Sequence, residues 1–116
     1  MSGIIGTSHS RSKVIGRSQD TAIAWLQFAG ASAPTVADSF GFSSLTDVST
    51  GHYRPNFEQT RPNNDYAAIA STQASASNTG KSIAVANPIT TYFNIESYEN
   101  DSSTDAYNCF CVVFGD

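Results

Sequence analysis

Leucine, lysine, glutamate and methionine are nearly missing from these 116 residues, which hold two Leu, two Lys, three Glu and one Met. These are strong helix formers, so their scarcity argues against a helical fold. Charge is also scarce. Charged side chains make up 14% of the chain and the net charge is −4, which does not fit the clustered Lys and Arg of a nucleic-acid footprint. No run approaches the ~20 apolar residues of a membrane helix. The start, Met1-Ser2-Gly3-Ile4-Ile5-Gly6, lacks the basic residues and long apolar core of a signal peptide. Synthesis in the cytosol is therefore expected, with any later release by lysis.

Cysteine is limited to Cys109 and Cys111. Two apart in a strand pattern, they point to one face, where a disulfide between them would distort the strand. A metal site would need two more soft ligands, and the only other candidates, His9 and His52, are distant in sequence. Both thiols read as reduced, packed as small apolar residues, with a contact between copies at a symmetry axis as the alternative. No metal and no cofactor is expected.

What the chain does contain is strand and turn chemistry. Ser and Thr form about a quarter of it, and these residues fill turns and pleated surfaces. Seven apolar-alternating runs follow one another: Thr21–Phe28, Thr35–Thr46, His52–Gln59, Tyr66–Thr72, Lys81–Asn87, Ile89–Ser97 and Ala106–Phe114. Short connections separate them, with turn residues at Gly30–Pro34, Asp47–Gly51 and Arg61–Asp65 and a Ser-rich loop at Gln73–Gly80. Such spacing predicts an all-β domain, an antiparallel sandwich or meander of about seven short strands over residues 21–116. A helix is considered only for the alanine-rich Ala67–Ala76. Val36, Phe40 and Phe42 are expected on one face, as are Tyr53, Pro55 and Phe57; Pro55 favours an edge strand, since it cannot donate to a ladder. The most hydrophobic segment, Cys109–Phe114, comes last and is expected to close a sheet or a subunit contact.

Residues 1–20 stand apart. Ile5-Gly6-Thr7-Ser8 is echoed by Ile15-Gly16-Arg17-Ser18 around a polar stretch, and the segment has too few apolar residues to fold alone. It reads as an extended anchoring arm, with Ile4, Ile5, Ile15, Arg11 and Arg17 as its docking groups and a frayed tail as the alternative. Its bases Arg11, Lys13 and Arg17 contrast with Glu96, Glu99, Asp101, Asp105 and Asp116 near the other end. That asymmetry can orient segments or copies, although exposed pairs contribute under about 1 kcal/mol each.

Several fragments, in order, resemble a β-rich domain of bacteriophage tail-fibre and related virion structural proteins. They are Asp20-Thr21-Ala22 with Trp25 and Phe28, Ser39-Phe40, Ser43–Asp47, Thr50–Tyr53 with Asn56-Phe57, Pro62–Tyr66, Asp105, and Val112–Asp116. The resemblance spans residues 20–116. It implies a non-enzymatic, commonly homotrimeric β domain of the virion that forms a fibre, fibre tip or surface knob. The implied partners are copies of itself, other virion proteins and a host-surface glycan. Capsid decoration, as a cement or head fibre, is the alternative; a polysaccharide-degrading activity resting on Glu96 or Asp101 ranks below both.

Site chemistry points the same way. With 17 serines and seven aspartates, a Ser-His-Asp set on paper carries no information, and no nucleophile-elbow pattern accompanies it. Glu96, Glu99, Asp101 and Asp105 crowd an expected loop, but their spacing fits no EF-hand. For sugar contact the candidates are Tyr53, Tyr66 and Tyr98, which can stack on rings, with Asn100 and Asp101 bonding hydroxyls. Trp25, Phe110 and Phe114 are the candidates for an oligomer contact or core.

Overall fold

The first strand shows how the sequence sets the layers. In Ala24–Ala29 (β1), Ala24, Leu26 and Phe28 are buried while Trp25 is exposed, the period-2 alternation of a sheet with one face on the core. A computed structural model describes residues 22–31, 33–73 and 81–115, and eight further strands follow within them. These are β2 (Thr35–Phe40), β3 (Phe42–Ser49), β4 (His52–Phe57), β5 (Ala67–Gln73), β6 (Lys81–Ala86), β7 (Asn94–Glu99), β8 (Ser102–Ser103) and β9 (Asn108–Phe114).

The strands form two antiparallel sheets, and the fold is an all-β sandwich. Sheet A has the order β2-β1-β9-β5; sheet B has the order β3-β4-β7-β6, with β8 paired to β7. The last strand lies inside sheet A, with β1 along one side through Ala24↔Val113 to Ala29↔Asn108 and β5 along the other through Ala67↔Phe114 to Gln73↔Asn108. The expectation that this segment closes a sheet is met. Its alternation puts Cys109, Cys111 and Val113 inside and Phe110 and Phe114 outside.

Seven expected strands become nine for two local reasons. Thr35–Thr46 divides at Gly41, and two residues of the acidic segment form β8. Gly41 has φ +79°, a backbone state that glycine adopts without steric cost. The break moves the chain from the edge of sheet A to the edge of sheet B, so Val36 and Phe40 are exposed while Phe42 is buried. The expected common face of these three side chains is overturned. Ala67–Gln73 is strand, which removes the helical alternative there. Residues 1–20, with Ile4, Ile5, Arg11, Ile15 and Arg17, and most of the Ser-rich loop lie outside the described residues.

Between the sheets, Phe42, Phe57, Phe93 and Tyr66 form one aromatic group with ring centroids 5.2–6.1 Å apart. Phe28 and Tyr53 meet edge to face at 5.0 Å. Tyr53, Pro55 and Phe57 do share the buried face, at roughly 1.5–3 kcal/mol for each large apolar group buried. Pro55 is not on an edge, because β4 runs between β3 and β7. The Gly51 C=O and the Phe57 N–H both point toward the β7 segment, so by alternation the missing Pro55 N–H falls on that side. There the ladder opens after Tyr53↔Ile95 and returns in the same register at Asn56↔Tyr92.

A Cβ on residue 41 would stand 2.5 Å from the Ile23 carbonyl oxygen and 2.9 Å from the Ala24 Cβ, in addition to strain of ~1–3 kcal/mol for a side chain at this φ. Gly41→Val is expected to lower stability by about 2 kcal/mol or more. Urea denaturation followed by tryptophan fluorescence checks this, and an unchanged midpoint contradicts it.

Candidate functional site

The register gives the outer faces opposite characters. On sheet B the outward positions of β4 and β7 are His52, Arg54, Asn56, Asn94, Glu96 and Tyr98, and they are linked by hydrogen bonds. Asn56 Nδ2 donates to Ser44 Oγ and Thr46 Oγ1 at 3.0 Å each, and Arg54 Nε donates to Asn94 Oδ1 at 3.1 Å. The Arg54 guanidinium lies 4.2 Å from the Tyr92 ring centroid, a cation–π contact.

At one end of this face the chain turns through Asn100 and Asp101, with φ 51° and 63°. Two successive left-handed residues between the paired Glu99 and Ser102 make a type I′ hairpin turn, which favours Asn and Asp. Both candidates thus have a structural reason for their identity, and both are exposed. Tyr98 stands beside them. Its hydroxyl donates to Glu96 Oε1 at 2.7 Å, and this bond raises the phenol pKa above its ordinary value. His52 lies opposite Glu96 with its Nε2 3.3 Å from Ser103 Oγ, a grouping that sequence distance concealed. Glu96 Oε1 accepts the hydrogen bond from Tyr98, and no hydrogen bond from His52 to Glu96 occurs among the described residues.

Three expectations change at this point. Tyr53 is 0% exposed, so it cannot stack on a surface sugar. Tyr66 is half-buried on the aromatic group, with its hydroxyl against the carbonyls of Ile89 and Tyr92 at 2.9 and 3.1 Å. The acidic loop is no single loop either: Glu96 and Glu99 belong to β7, and Asp105 Oδ1 accepts the Gly51 N–H at 3.0 Å. Only Tyr98, Asn100 and Asp101 of the sugar-contact candidates come together at the surface. Among the described residues no group of three or more His, Cys, Asp or Glu converges as a metal site.

Tyr53 has a structural task. Its hydroxyl donates to Gly30 O at 2.6 Å and accepts the Ala106 N–H at 3.0 Å, with Asp105 Oδ1 at 3.2 Å. Burial raises its pKa far above the ordinary range. Beside it opens a cleft of about 390 Å3 lined by Ala29, Ala31, Lys81, Asp105, Ala106, Tyr107 and Asn108. The Lys81 ammonium there is bound by the Asp105 carbonyl.

Sheet A presents a different surface. Phe40, Trp25, Val112 and Ile69 stand in one row across β2, β1, β9 and β5. Phe110 and Phe114 flank this row on β9. Asp38 is the single charged residue in the four strands. Exposure is 38% for Trp25, 55% for Phe40, 58% for Ile69 and 37% for both Phe110 and Phe114, so Trp25, Phe110 and Phe114 lie outside the core. Phe40 and Ile69 were missed as members of this surface; four strands with Asp38 as their single charged residue were the signal available.

Inside sheet A both cysteines are free and buried. Burial pushes the Cys111 thiol up to about 12 and raises Cys109 further, with help from Cys111 nearby. Thiols held protonated are poor nucleophiles. Compared with protein-family models, curated proteins and solved structures, the chain matches none.

Tyr53→Phe keeps the ring but leaves the Gly30 C=O and Ala106 N–H unpaired inside the protein. A loss of about 2 kcal/mol is expected, read as a lower urea midpoint; an unchanged midpoint removes the role given to this hydroxyl. A second expectation concerns pH. Folded-state thiol pKa values lie above the unfolded ~8.5, so unfolded thiols lose their protons first as pH rises. Stability is then full below ~8.5 and falls through the alkaline range toward about 12. Urea midpoints at pH 7 and pH 10 test this, together with a thiol reagent that should label Cys109 and Cys111 only after unfolding. Rapid labelling of the folded chain contradicts it.

Proposed function

We propose that this chain is a non-enzymatic structural protein of a bacteriophage particle, of the tail-fibre or fibre-tip type. It assembles as a homotrimer with residues 1–20 as its anchor to other virion proteins. The observation that carries the reading is the unequal pair of outer faces. A face with Asp38 as its single charge and with exposed aromatics suits burial in an assembly, where charged residues are depleted and aromatics enriched. The hydrogen-bonded, charged face of sheet B suits permanent contact with water. The half-buried Tyr98 and the exposed Asn100 and Asp101 form a tip on that side, with the phenol and short polar groups that contact sugar hydroxyls. In this reading the protein is made in the host cytoplasm and resides in the virion, and the tip meets a host-surface glycan. The same polarity also suits a capsid decoration protein whose sheet A face lies against the shell.

Labelled antibody viewed by electron microscopy on purified particles tests the proposal. Label at the tail is the expected result; label over the head replaces the fibre reading with capsid decoration. Label at neither place overturns the virion assignment.

A further inference from the structure

Resting on the reading of this chain as an assembly protein, we infer that the outer face of sheet A is the surface through which copies of the chain meet. Each copy contributes Phe40, Trp25, Val112 and Ile69, with Phe110 and Phe114 beside them. The row crosses every strand of the sheet, so the face is apolar from edge to edge rather than at one corner. Apolar exposure of this extent marks an interaction site.

Area and charge identify the occupant. The five large side chains are 37–58% exposed, and groups of this kind bury ~150–250 Å2 each, which leaves on the order of 400–500 Å2 of apolar surface uncovered. With the polar positions between them, the face approaches the roughly 800 Å2 per partner of a standard interface. A second copy offers the same area and the same scarcity of charge. Such faces meet without the repulsion that a net charge of −4 would bring to other surfaces, because Asp38 is the single charged residue that each contributes. The chain's own basic segment, with Arg11, Lys13 and Arg17, is a poorer match. Its charges would be complemented by Glu96, Glu99 and Asp101 on the sheet B side, and only by Asp38 here. In the homotrimer the copies turn this face toward the three-fold axis, their apolar side chains meeting there with β9 and β1 at the centre.

Trp25 is the sole tryptophan and reports on the face directly. Light scattering after size exclusion and acrylamide quenching of the full chain, over about 1–100 μM, read the assembly across the micromolar range in which the weaker standard-size interfaces come apart. A mass above one copy is expected, with Trp25 shielded when assembled and open on dilution. Ile69→Lys and Phe40→Lys, each placing a charge within the apolar contact, should weaken assembly about tenfold or more. Val48→Lys, on exposed β3 of sheet B, should leave it unchanged. A single-copy mass with Trp25 open at every concentration overturns the inference, as does an unaltered assembly in folded Ile69→Lys and Phe40→Lys. If either variant fails to fold, quenching of the unmodified chain still decides. Particle labelling without assembly through this face would remove the inference alone, and assembly through it without labelling would remove the virion reading alone.

Discussion

One hydroxyl holds the two sheets in their relation. Tyr53 belongs to β4 in sheet B, and its oxygen bonds Gly30 at the end of β1 and Ala106 ahead of β9, which lead into and out of the two central strands of sheet A. The contact is so close that a Cβ on Gly30 would stand 2.5 Å from that oxygen. An isolated phenol in the interior would cost the desolvation of its hydroxyl, and here that cost is offset by a donor and an acceptor that would otherwise be orphaned themselves. Asp105 extends the arrangement by receiving the Gly51 N–H. The turn entering β4 is thereby fixed to the segment entering β9.

With the sheets held in this way, the remaining packing is divided by position. The aromatic group of Phe42, Phe57, Phe93 and Tyr66 fills one end of the sandwich, and Phe28 with Tyr53 fills the other. Ser97 is fully buried, and its Oγ, Glu99 Oε1 and Thr104 Oγ1 have no hydrogen-bond partner among the described residues. The polar burden of the interior thus gathers near the Tyr53 end. Trp25, Phe110 and Phe114 are held outward by β1 and β9, whose inner positions are filled by Ala24, Leu26, Phe28, Cys109, Cys111 and Val113. Their exposure follows from the pleat, because a strand cannot turn successive side chains to one face.

Much of this was legible residue by residue. The alternation in Cys109–Phe114 identified a strand and its inward cysteines, and the spacing of Tyr53, Pro55 and Phe57 announced a shared face. The break at Gly41 was not legible, since Phe40-Gly41-Phe42 continues an apolar pattern and only a positive φ, set by the step between sheets, interrupts it. Pro55 misled for a related reason. Its missing N–H argues for an edge when strands are considered alone, but an interior strand tolerates it where the neighbouring ladder already opens. Tyr53 was read as a surface aromatic beside a turn, although its ring lies on the inner face and its hydroxyl has partners 23 and 53 residues away.

The sequence by itself determined the all-β class, the approximate strand positions and the low charge, because these depend on local propensity and on a period of two residues. It also determined that the cysteines share a face, since alternation is local. Tertiary structure alone decided which face of each strand met the other sheet and which met solvent, and it grouped His52, Glu96, Tyr98 and Ser103 on one surface. Strand order made that choice. Residues dozens of positions apart become neighbours only when β9 enters between β1 and β5 and β7 enters between β4 and β6, and no local preference encodes those pairings.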